Sequence, residues 1–124
     1  MKPSLLRVRA FIFACMMLGC AVFAHSAETA GVVAIGALPA EAQQTLNLIK
    51  HGGPYPFAKD GVVFGNYQRA LPPQPGGYYH EFTVKTPHVE NRGAQRIVVG
   101  GGNSPSPEYF YTGDHYATFQ RIQE

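Results

Sequence analysis

Tyr78-Tyr79-His80-Glu81-Phe82-Thr83-Val84 is the stretch on which the rest of the chain is organised. It follows a turn-rich connection, Leu71 to Gly77 (LPPQPGG), and it is the clearest strand in the sequence: β-branched and aromatic residues dominate it. Side chains alternate along a strand, so Tyr79, Glu81 and Thr83 share one face. Tyr78, His80, Phe82 and Val84 take the other. Glu81 is the only carboxylate in the run. A carboxylate in the middle of a sheet needs a partner or a task, because ionised acids are rarely buried unpaired.

A second strand, Arg96 to Val99, supplies a partner. Ile97 and Val99 point one way, Arg96 and Val98 the other. If Ile97 and Val99 join Phe82 and Val84 on the buried face, Arg96 emerges beside Glu81. On pattern alone a cross-strand ion pair is the stronger reading, worth under about 1 kcal/mol if exposed.

Upstream, Leu38-Pro39-Ala40-Glu41 opens a helix. Proline suits the first turn, Glu41 favours the positive end, and Ala42, Leu46 and Ile49 make an apolar stripe. Gly52-Gly53-Pro54 stops it. Glu28 to Gly36 reads as an arm or short first strand. Val62-Val63-Phe64, Tyr109–Thr112 and Thr118–Ile122 are further short strands, and Gly100 to Pro107 is a loop. One helix followed by several short strands predicts an α+β fold. The main N-terminal helix packs on a twisted antiparallel sheet, whose other face is open for function.

The first 27 residues have the layout of a secretory signal peptide: Lys2, Arg7 and Arg9, an apolar run from Ala10 to Ala24, then small residues. The run is short for a membrane span. An uncleaved anchor and a lipid-anchored form at Cys20 are the alternatives. Cleavage within 24–27 leaves a single domain, 28–124, secreted or periplasmic, without stable membrane association. Both cysteines, Cys15 and Cys20, leave with the signal, so stability must come from packing. The remaining chain has seven Lys and Arg against eight Asp and Glu, a net of −1. Bulk charge therefore gives no sign of nucleic-acid binding, and phosphate recognition has to be local.

Thr112-Gly113-Asp114-His115-Tyr116 is a tight turn that sets His115 at a strand end. A carboxylate base and an imidazolium acid on opposite sides of a phosphodiester are what RNA transesterification needs, with arginines offsetting phosphorane charge. Arg92 and Arg96 are the cations nearest Glu81 in sequence. No cluster of metal ligands is visible.

Taken together, these segments resemble the small microbial guanyl-specific ribonucleases that include barnase. The likeness runs from Leu38 to Ile122. It is carried by Leu38-Pro39 with Thr45–Ile49, Asp60–Phe64 followed by Asn66, and Leu71-Pro72. Tyr78–Glu81, Arg92-Gly93, Arg96-Ile97 and Tyr111–Tyr116 complete it. The resemblance implies Glu81 as general base, His115 as general acid, and Arg92 and Arg96 as phosphate ligands. It implies a base pocket lined by Phe64, Asn66 and Tyr67, with Gln68 at the position of the family's glutamate and Tyr116 helping to close the site. It implies single-stranded RNA and not DNA as substrate, no metal or cofactor, a monomer and, for a toxin role, a cytoplasmic protein inhibitor in the producing cell.

Two departures stand out. Asn66-Tyr67 is followed by Gln68 where the family carries a glutamate that binds guanine N1–H and N2–H, so a weaker guanine preference is expected. The terminal disulfide of close relatives is absent, which predicts looser ends. A catalytically weak RNA-, nucleotide- or inhibitor-binding module on the same fold is the alternative, and Gln68 is the only feature in its favour.

Overall fold

The computed structural model describes residues 31–124; the expected signal segment lies outside the described residues. The helix α1 spans Ala40–His51. Pro39 is its N-cap and leaves its carbonyl to accept from the Ala42 and Gln43 amides. Glu41 in the first turn and Lys50 and His51 in the last match the helix dipole. Gly52 ends the helix in the left-handed conformation, φ 79°, where a side chain would be strained. Ala42, Thr45 and Leu46 are buried, with Ile49 packed at the margin of the same cluster.

Five strands form one sheet: β1 (Val32–Ala34), β2 (Tyr79–Thr83), β3 (Arg96–Gly100), β4 (Glu108–Thr112) and β5 (Gln120–Gln123), in the order β1-β5-β4-β3-β2. The β2–β3, β3–β4 and β4–β5 pairings are antiparallel as expected. The expectation of a wholly antiparallel sheet needs one correction: β1 pairs parallel with β5. Helix α1 and everything up to β5 intervene between them, so no short hairpin dictates the direction. The same pairing holds the C-terminal strand on both sides, and Glu124 forms an ion pair with Lys50 of α1.

Val62-Val63-Phe64 does not become a ladder strand. It makes a single bridge, Val63 to His80. Its main chain still covers the outer edge of β2: Gly61 N–H donates to Glu81 O at 2.8 Å, Glu81 N–H to Val62 O at 2.9 Å, and Phe64 N–H to Tyr79 O at 2.9 Å. An edge closed in this way is protected from pairing with another chain.

The alternation read from the sequence sorts the two faces. Leu38, Ala42 and Leu46 pack with Phe82, Val84, Ile97, Val99 and Ile122 on the helix side. The other face is open at one end and covered at the other. Leu71, Tyr79, Val98, Phe110 and Phe119 form a smaller core there, flanked by Phe64, Ala70, Tyr78 and Tyr116. The loop between α1 and β2 supplies Leu71, and the segment before β5 supplies Phe119. Together they roof one end of the face and leave the Glu81–Arg96 end for the site.

This second core contributes to stability as a core does. Phe110 is 2% exposed. Phe110→Ala is expected to lower unfolding free energy by about 3–5 kcal/mol in urea denaturation, the cost of an emptied aromatic site. A loss under about 1 kcal/mol is what an open sheet face would show.

Candidate active site

Residue Glu81 projects from the centre of β2, and its side chain is 14% exposed. Burying a carboxylate so far costs several kcal/mol unless donors replace water. They do. Arg92 Nη2 donates to Oε1 at 3.0 Å and the Tyr116 hydroxyl donates to the same oxygen at 2.7 Å. Arg96 Nε lies 3.8 Å from it. Among the described residues Oε2 accepts no hydrogen bond, and no buried side-chain oxygen or nitrogen there lacks a partner. Oε2 is therefore the oxygen that reaches solvent and is free to take a proton.

The two arginines occupy different environments. Arg96, across from Thr83 in the β2–β3 register, is 3% exposed. Its Nη1 donates to the carbonyls of Arg92, Gly93 and Gln95 at 3.3, 3.0 and 2.8 Å, and its Nε donates to the Tyr116 hydroxyl at 2.9 Å. A planar guanidinium with several fixed donors fits this cage; an ammonium does not. Arg92 is 26% exposed and is braced by Nε donation to Thr83 Oγ1 at 3.0 Å. Arg92 is thus the more available cation, and Arg96 supplies charge from behind.

Tyr116 joins the parts. Its hydroxyl accepts from Arg96 and donates to Glu81, while its ring stacks on Phe64 at 5.2 Å. Burial first, and then the bond to Glu81, pushes its phenol above the usual range, so it stays a donor at neutral pH. His115 and Tyr116 are both left-handed, with φ 56° and 74°. Such backbone persists only where neighbours fix it. The His115 amide donates to Ala94 O at 3.0 Å, and the Tyr116 amide donates to Thr112 Oγ1 at 3.2 Å. Asp114 accepts from Thr112 Oγ1 (2.8 Å), Thr118 N (2.9 Å) and Thr118 Oγ1 (2.6 Å).

Residues Val63–Gln68 and Ala70 form one wall of a cleft of about 490 Å³, and Glu81, His115 and Tyr116 form the other. The five residues expected at the base pocket and both expected proton-transfer groups thus share one cavity. Two of them have further features of their own. Asn66, φ 53°, spends its side chain closing the loop: Nδ2 donates to Leu71 O at 2.9 Å and Oδ1 accepts from Leu71 N at 3.1 Å. Only its main chain is left for a ligand. Tyr67 is 94% exposed, with its ring lying over Gly65, where a Cβ would collide with it. Among the described residues no three His, Cys, Asp or Glu side chains assemble into a metal site.

The chain matches the ribonuclease family over residues 23–123. It belongs to that family. It is 50% identical over 97 residues to guanyl-specific ribonuclease Sa of Kitasatospora aureofaciens, taking in 78% of this chain and 98% of the relative. It is 53% identical over 88 residues to guanyl-specific ribonuclease St of Saccharopolyspora erythraea, which is 71% of this chain and 83% of that one. The fold is similar to that of ribonuclease Sa2, solved in complexes with mononucleotides. The TM-score is 0.72 at 48% identity, covering 78% of this chain and 98% of the other.

Sequence reasoning missed the supports of this ribonuclease site. Thr83 braces Arg92, and Asp60 Oδ1 accepts from Thr83 N at 2.7 Å and Oδ2 from Phe57 N at 3.1 Å. Asp114 and its two threonines hold the histidine turn. The last of these had a signal: Thr-x-Asp-x-x-x-Thr around a glycine is the composition of side-chain-closed turns. The hydrogen bonds from Thr118 and Thr112 lower the Asp114 carboxyl from 3.8 to about 2. A depressed acid stabilises the fold above its unfolded value and loses that contribution as pH falls through its folded one. The stability difference between wild type and Asp114→Ala should be full above about pH 4 and shrink as pH falls towards 2. Thermal melts of both proteins across that range measure it.

Proposed function

We propose that this ribonuclease cuts single-stranded RNA on the 3′ side of guanosine, by transesterification and then hydrolysis. One observation carries the reading: the solvent-facing carboxylate of Glu81 and the imidazole of His115 line the same cleft as the Phe64–Gln68 loop. A substrate whose base sits on that loop has its 3′-phosphate between an acid and a base.

Glu81 takes the proton of the ribose 2′-hydroxyl. The 2′-oxygen attacks phosphorus, the P–O5′ bond breaks, and His115 gives its proton to the departing 5′-oxygen. The product is a 2′,3′-cyclic phosphate. In the second step His115 takes a proton from water, whose oxygen attacks phosphorus. The P–O2′ bond breaks and Glu81 returns its proton, leaving a 3′-phosphate. Arg92, with Arg96 behind it, offsets charge on the equatorial phosphoryl oxygens in both steps. DNA lacks the 2′-hydroxyl and so is not a substrate.

Base choice belongs to the loop. Its main-chain groups and Gln68 face the guanine edge, and Phe64 and Tyr67 offer stacking surfaces. A neutral amide replaces a charge-assisted acceptor by an ordinary one, a loss of about 1 kcal/mol or roughly five- to tenfold in guanine preference. Export is supported by the 1–27 segment, with the working domain at 28–124 as a monomer. A producer that uses such an enzyme as a toxin needs a cytoplasmic protein inhibitor covering the cleft.

The test is cleavage of GpN and ApN dinucleotides with and without chelator. Cyclic-phosphate formation that survives chelator is expected, with Glu81→Gln and His115→Ala each slower by about 10²–10⁴. Equal inertness of wild type and His115→Ala overturns the proposal in favour of a binding module. In the same assay Gln68→Glu is expected to raise the GpN to ApN rate ratio roughly five- to tenfold. An unchanged ratio means Gln68 does not read the base.

A further inference from the structure

His80 lies between Tyr79 and Glu81 in β2, and the reaction above makes no use of it. Its ring Nδ1 is 2.8 Å from the carbonyl oxygen of Gly61, and Nε2 is 3.1 Å from the carbonyl oxygen of Gly77. These two glycines bound the segment that carries Phe64–Gln68. Both have positive φ, 90° and 85°, so they are the residues at which the segment turns out from β2 and back. Between them the loop is closed on itself. Asn66 is bonded twice to Leu71, and the Tyr79 hydroxyl donates to Pro72 O at 2.6 Å. A closed loop on two glycine hinges moves as a unit, and His80 fastens both hinges.

Carbonyl oxygens only accept hydrogen bonds, whereas a neutral imidazole has one N–H and one bare nitrogen. Both contacts are bonds only when the ring carries both protons. The cleft that His80 lines includes Lys50, Tyr55, Tyr78 and Tyr109 but no carboxylate. Glu108 stands behind it, accepting from the Tyr78 hydroxyl at 2.9 Å, and Glu81 points from the opposite face of the strand. Two backbone carbonyls are therefore the direct acceptors for the ring.

We propose that His80 is a positioning residue for base recognition: its ring, set against the carbonyls of both hinges, clasps the 61–77 segment and sets where Phe64–Gln68 stands against the catalytic wall. The inference rests on the reading of that loop as the base site.

Nitrogen-15 NMR of the full domain tests it, with guanosine 3′-monophosphate and inorganic phosphate as separate probes. In wild type the nucleotide should shift the amides of Phe64–Gln68; no shift there overturns the base-site reading itself. In His80→Phe, which keeps an aromatic ring but no donor, nucleotide affinity should fall about tenfold or more. Affinity for inorganic phosphate should stay within about twofold, because Arg92 and Arg96 are untouched. His80→Gln, which keeps one donating group, should fall between and serves if the phenylalanine variant does not fold. Loop shifts in wild type with unchanged nucleotide affinity in both variants overturn the inference, as does an equal loss of nucleotide and phosphate binding.

Discussion

A carboxylate whose side chain is 14% exposed, met by donors from separate segments, is the constraint from which the rest of this structure follows. Glu81 needs Arg92 and Tyr116 at hydrogen-bond distance, and Arg96 just beyond. None of the three comes from its own strand. The β2–β3 register must bring Arg96 opposite Thr83, the β2–β3 connection must fold back to place Arg92, and the turn after β4 must present Tyr116. The site is thus a by-product of correct sheet assembly, and a misregistered sheet would leave a buried acid unpaired.

The same strand ties the Phe64–Gln68 loop to Glu81. Tyr79, on the same face of β2 as Glu81, holds Pro72, and His80, on the opposite face, reaches Gly61 and Gly77. Tyr116 completes the connection by stacking on Phe64 while donating to Glu81. The tyrosine that touches the loop also touches the carboxylate. The Tyr79 phenol, raised to about 12 by burial above all, stays a proton donor throughout the working pH range.

The described residues contain no cysteine, and their loops are held by hydrogen bonds instead. Side chain to main chain hydrogen bonds recur wherever the chain leaves regular structure: Asp60 before β2, Asn66 in the loop and Asp114 at the histidine turn. Each is a short polar side chain that satisfies backbone amides or carbonyls a turn would otherwise strand. The left-handed backbone of His115 and Tyr116 is affordable because that network surrounds it.

Much of this was legible from local pattern. The helix ends were marked by Pro39 and Gly52, the alternation of Tyr78–Val84 assigned the faces of β2, and Ile97 and Val99 against Arg96 and Val98 did the same for β3. Those are properties of a few consecutive residues, where period and propensity speak directly. Glu81, Arg92 and His115 stood out only as a set, through family order. What tertiary structure alone decided involves residues far apart in the chain. These are the parallel pairing of β1 with β5, the second core that roofs part of the open face, the diversion of the Asn66 side chain to Leu71, the caging of Arg96 and the reach of His80 to both hinges. No periodicity encodes such contacts, because each is a hydrogen bond or packing choice available only after the sheet has brought its partners within reach. Tyr78–Val84 specified a strand with one acid; the fold decided that the acid would be framed by Arg92 and Tyr116 and set in one cleft with His115.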